Sequence, residues 1–182
     1  LCDNVYLAVR GPSAFSVAFP TTHHVRAGLE CGAGLIVLSA HVGNWNVVAR
    51  HFGRFGVPVT VVVFEAERAE IRDLHRRHQR KSVPYRIVHS NDVLETTLTM
   101  RQCRARGEIV VMHADRFVSG ATLPQPLLGS PARFPLFPFR MASLTKAPVI
   151  MAFPSREGLN RYCARASAAF TVTPGDEGAA CR

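Results

Sequence analysis

His41 is the residue of this chain best placed to move a proton. It stands just past an apolar run, residues 35–38, and opens the segment His41-Val-Gly-Asn-Trp-Asn46. Buried strands of a doubly wound sheet read as unbroken apolar runs, and ligand-binding groups collect beyond their carboxyl ends. A histidine there suits general-base chemistry, because an imidazole titrates near neutral pH. Such a base needs a partner on its other ring nitrogen to fix the tautomer and steady the imidazolium, normally a carboxylate. Two further strand ends offer one: Glu65 follows the run 57–64, and Asp115, with Arg116 beside it, follows the run 108–112. On its own, a histidine at a strand end is more often a polar cap than a catalyst, so its company decides.

The elements that must position these groups alternate. Residues 34–40 read as the first buried strand, and 45–55 as a helix with Asn44 at its N-cap and Gly56 as its stop. Residues 57–64 form the second strand, 67–82 a strongly basic helix, and 85–88 the third strand. Asp92 and Glu95 fit a capping box for a helix over 93–106, closed by Gly107, and 108–112 is the fourth strand. Strand and helix alternate three times, which predicts an α/β three-layer sandwich with a mostly parallel central sheet flanked by helices. Upstream, 1–19 reads as a loop or partial helix leading into a short strand at 15–19, and 23–32 as a short helix. Downstream, 117–138 carries five prolines and three phenylalanines, which suits a covering flap. A helix over 139–145, a last core strand over 147–153, an edge strand over 162–172 and a frayed tail over 174–182 follow.

The 182 residues are 47% hydrophobic, enough for one core and one domain spanning 1–182. A net charge of +9 favours an anionic partner: a membrane surface, an acidic carrier, a phosphorylated substrate or nucleic acid. The last lacks a motif, since the arginines are not interleaved with aromatics. The five cysteines have no close pairing, giving neither a disulfide framework nor a zinc signature and pointing to a cytoplasmic, reducing setting. His75 and His78 sit three apart without a third ligand of suitable spacing, so no metal is expected. The longest apolar runs fall far short of the roughly twenty residues that cross a bilayer. The chain starts without methionine and with no basic-then-apolar leader, as a fragment truncated at both ends would.

Four blocks in order over residues 35–153 resemble the lysophospholipid-acyltransferase-like superfamily, in particular the bacterial lipid A lauroyl/myristoyl acyltransferases and related acyltransferases. They are His41-Val-Gly-Asn-Trp-Asn46, Asp115-Arg116, Phe134-Pro-Leu-Phe-Pro-Phe-Arg-Met-Ala142 and Lys146-Ala-Pro-Val-Ile-Met-Ala-Phe153. The resemblance implies acyl transfer from a thioester on acyl carrier protein or coenzyme A to a hydroxyl or amine of a lipid-like or small-molecule acceptor. His41 would be the base, no cofactor or metal would be needed, and the protein would sit peripherally on the cytoplasmic face of the inner membrane. It also implies substrate contacts for Gly43, Asn44, Trp45, Glu65, Asp115, Arg116, Phe134, Phe137 and Arg140. This family's motif has a carboxylate five residues after the histidine, and here that position is Asn46. Either the protein is an altered variant that only binds an acyl chain or carrier, or another acid, Glu65 or Asp115, substitutes, or the chemistry leans less on the pair.

Overall fold

The structure, a computed structural model, describes residues 2–64, 85–90, 93–116, 120–176 and 178. Helix α1 (Cys2–Arg10) leads into strand β1 (Ser16–Ala18) and helix α2 (Thr22–Leu29). Strand β2 (Leu35–Ser39), helix α3 (Trp45–Ala49) with 3₁₀ turns over Arg50–Phe55, and strand β3 (Val59–Phe64) form the next unit. Then come β4 (Arg86–Ser90), α4 (Val93–Ala105), β5 (Ile109–His113), the strands β6 (Thr122–Leu127) and β7 (Ser130–Pro135), α5 (Phe137–Thr145), β8 (Val149–Arg156) and β9 (Arg161–Ala166). The expected basic helix over 67–82, Glu65, Asp92 and most of the 174–182 tail lie outside the described residues.

Seven strands form one sheet in the order β1-β9-β8-β2-β5-β3-β4. All neighbours are parallel except β8 and β9. The side-chain period of two divides the core cleanly between the faces. Leu35 and Val37 of β2, with Val61, Val111 and Ile150, pack on one face with Leu7, Val25, Val47 and Phe52 of the first helices and turns. Ile36 and Leu38, with Val62, Val110, Met112 and Val149, pack on the other with Met100 and Cys103 of α4 and Phe139, Met141 and Ala142 of α5. Each fully buried Leu, Ile, Val or Met contributes about 1.5–3 kcal/mol. This is the expected three-layer α/β sandwich.

One expectation is corrected and two are refined. The strand expected over 162–172 at the edge is β9, and it lies inside the sheet between β8 and β1. The connection from Arg156 to Arg161 is too short for a crossover, so β9 must return antiparallel beside β8, where Glu157 N–H donates to Arg161 O at 2.9 Å. The proline-rich stretch expected to form a flap contains two strands: β6 and β7 pair as an antiparallel ribbon separate from the main sheet. Leu128 and Gly129 both take positive φ, 52° and 83°, the geometry of a two-residue hairpin turn. The helix expected at 139 starts at Phe137, with Pro138 in its first turn where a missing N–H costs nothing.

At the opposite end of β5, Glu108 is a buried carboxylate accepting from Thr60 Oγ1 at 2.7 Å, from Arg106 Nε and from Arg86 at 3.3 Å. Burial would raise its pKa, but these donors prevail and hold it down at about 2. It ties β3, β4 and β5 together, away from the strand ends that bear His41.

Candidate functional site

β2 and β5 are parallel neighbours in register, Ser39 opposite His113, and Ala114 N–H donates to Ser39 O at 2.9 Å. Whatever follows the two strands is therefore brought together. His41 Nδ1 lies 2.8 Å from Asp115 Oδ1, and the His41 main-chain N–H donates to Asp115 Oδ2 at 2.9 Å. Both carboxylate oxygens thus hold one residue. An ionised carboxylate only accepts, so the hydrogen sits on Nδ1 and the Nε2 lone pair is free to take a proton. Side-chain exposure is 33% for His41 and 25% for Asp115, so the pair is reachable from solvent. Partial burial alone would raise the Asp115 carboxyl; the main-chain and ring donors of His41 outweigh it and hold it below the usual carboxylate range.

His113, which sequence reasoning did not single out, completes the group. Its ring stacks on that of His41, centroids 4.2 Å apart and planes 28° from parallel, while Trp45 meets it edge-on at 5.2 Å. Burial, then the neighbouring His41 and Arg116, push its imidazole down to about 4, with Asp115 opposing, so it is neutral at physiological pH. The available signal was a histidine ending the run Ile109-Val-Val-Met-His113, two residues before Asp115.

The turn carrying His41 is fixed by two devices. Asn44 caps α3, its Oδ1 accepting from Asn46 N–H at 3.1 Å and Val47 N–H at 3.4 Å. Gly43 has φ +65°, and a Cβ there would lie 2.4 Å from Pro154 O, so the turn presses backbone to backbone on β8. Asn46 is not bonded to His41; its Oδ1 accepts from Tyr85 Oη at 3.1 Å. The Tyr85 hydroxyl is pushed up to about 12, chiefly by burial.

Of the residues singled out in the sequence, His41, Trp45, Asn46 and Asp115 come together, with Gly43 and Asn44 shaping the turn. Arg116 is exposed beside Asp115 without an ion pair among the described residues, and Asp115 is taken up by His41 rather than by Arg116. Phe134 lies half-buried on β7, opposite Leu123. Phe137 packs with Ala114 against the core under α5, and Arg140 is exposed on α5. Among the described residues no group of three or more His, Cys, Asp or Glu is arranged to hold a metal ion. No helix among them is long and apolar enough to cross a membrane.

A parallel α/β sheet presenting a histidine–aspartate pair at its strand ends defines the class: an α/β sandwich whose candidate site lies at the carboxyl ends of its strands, where such folds bind ligands. The chain belongs to the bacterial lipid A biosynthesis acyltransferase family, whose profile matches residues 13–182. It is an acyltransferase by that membership. No curated protein sequence matches it.

Proposed function

We propose that this acyltransferase moves a fatty acyl group from a thioester of acyl carrier protein or coenzyme A to a hydroxyl or amine of a lipid-like or small-molecule acceptor, with His41 as general base. The observation that carries this is the two-point contact of Asp115 on His41. His41 Nε2 removes the acceptor proton as the acceptor oxygen or nitrogen attacks the thioester carbonyl. The tetrahedral intermediate then expels the thiolate, which takes the proton back from the imidazolium, so the pair ends as it began. Asp115 holds the Nδ1–H tautomer and offsets the charge on the ring in between.

Arg116, exposed beside the pair, suits a phosphate of the donor's arm or of a lipid head group. Trp45, Phe134 and Phe137 are assigned to the acyl chain, Arg140 and Glu65 to the acceptor or carrier. The net charge of +9 favours an anionic membrane surface as the place of work. A binding-only role rests on Asn46 replacing the motif acid; an acid supplied by Asp115 supports the catalytic reading instead. The test is thiol release from acyl-carrier and acyl-coenzyme A thioesters with lysolipid acceptors. His41→Ala is expected to lose at least about a thousandfold in kcat with an unchanged melting temperature; retained turnover overturns the assignment.

A further inference from the structure

We infer that His113 is a positioning residue for His41: its ring is a stacking platform that carries the His41 ring while that ring holds the acceptor's proton. This rests on His41 being the base. The geometry comes first. The two rings lie 4.2 Å apart at 28°, and Trp45 braces His113 edge-on at 5.2 Å, so the platform is wedged between an indole and the base it supports. The His113 Nε2 is buried and has no hydrogen-bond partner among the described residues. A polar ring at the end of a core strand, with one nitrogen unused, is a costly choice if packing were its only task, since an aliphatic side chain there would leave nothing unpaired.

A cation within about 6 Å of an aromatic centroid is attracted to its face. When His41 becomes an imidazolium it lies in that position over His113, provided that His113 is not itself charged, for two stacked cations would repel. Burial keeps His113 neutral. The charged or titratable groups facing it among the described residues are His41 from the end of β2 and Asp115 and Arg116 from the end of β5, while α3 contributes only Trp45. Of these only Asp115 favours protonation of His113, and both its oxygens are already occupied by His41.

The experiment follows the His41 ring by NMR titration in the whole chain, without substrate, in the wild type, His113→Phe and His113→Leu, alongside the pH profile of acyl transfer. Phenylalanine keeps the aromatic face and drops the nitrogen; leucine drops both. The expected result is an unchanged His41 titration in His113→Phe and a fall of about half a pH unit in His113→Leu. With it, kcat should fall about threefold or more in the Leu variant at constant KM, and be restored by Phe. His113→Val replaces the Leu variant should its melting temperature drop. An identical His41 titration in wild type and the aliphatic variant overturns the proposal, as does loss of activity in a well-folded His113→Phe, which would assign the work to the nitrogen. A wild type devoid of acyl transfer would sink the base assignment, while the titration still decides the stack.

Discussion

Replacing Asp115 by Asn removes one charge and one acceptor from a contact that uses both oxygens. Oδ1 takes the ring N–H at 2.8 Å and Oδ2 the main-chain N–H at 2.9 Å. An amide has a single oxygen, and whichever way it is turned its NH₂ faces one of two donors. Either the main-chain N–H is left unpaired, or the imidazole adopts the tautomer with its hydrogen on Nε2, where it can no longer act as a base. A charge-assisted hydrogen bond is worth about 1.5–3 kcal/mol net, and the equivalent Asp to Asn change in the serine-protease triad costs about ten-thousandfold. Water reaches a third of His41 and a quarter of Asp115, which screens part of the charge effect. The expected loss in kcat is therefore about a hundred- to ten-thousandfold at nearly constant KM, read by steady-state thiol release. Asn46→Ala breaks only the bond from Tyr85 and is expected to stay within about tenfold of wild type. Asp115→Asn retaining activity within tenfold, or Asn46→Ala proving as damaging, would refute the pairing as the source of catalysis.

Gly43→Ala places a Cβ 2.4 Å from Pro154 O at a φ of +65°. Left-handed strain and the collision together should cost about 2–4 kcal/mol and lower Tm by about 5–15 °C in a thermal melt, with activity falling as the His41 turn shifts. Acid should weaken the fold before it touches the carboxylates. An unfolded chain protonates His113 near its ordinary 6.5, the folded one only near 4, so between these values the unfolded state binds more protons and stability falls as pH falls. Burial and Arg54 lower His51 in the same sense. Urea unfolding should show a loss of up to about 3 kcal/mol from pH 7 to pH 4, much of it absent in His113→Phe. Glu108, held at about 2, keeps its full contribution above the ordinary carboxylate range and loses it progressively as the pH falls into that range and on toward 2, so it should add little to that slope above about pH 5.5.

The strands that hold the site were legible because they are buried on both faces. A parallel strand covered by helices has no polar side to show, so β2, β3, β5 and β8 appear as apolar runs within a few residues of their true bounds. The cap at Asn44 and the stops at Gly56 and Gly107, both at positive φ, were local signals of the same kind. Strand order is not local. Asp115 lies 74 residues from His41, and only the adjacency of β2 and β5 makes it a partner in place of the residue five positions on. His113 was missed for a related reason: a histidine finishing an apolar run looks like a strand end until the neighbouring strand delivers a second ring above it. The direction of β9 depended on a short turn, and the β6–β7 pairing was hidden by prolines that ordinarily argue against a strand.

Those prolines shape how the molecule meets its neighbours. The ribbon has two strands and hence two open edges, the kind of surface on which a foreign strand can grow. Pro124 and Pro126 on β6, and Pro131 and Pro135 on β7, each withhold an N–H, and Pro126 stands directly opposite Pro131. Neither flank offers the regular row of donors that templated growth requires, so the ribbon's open edges do not invite edge-to-edge pairing.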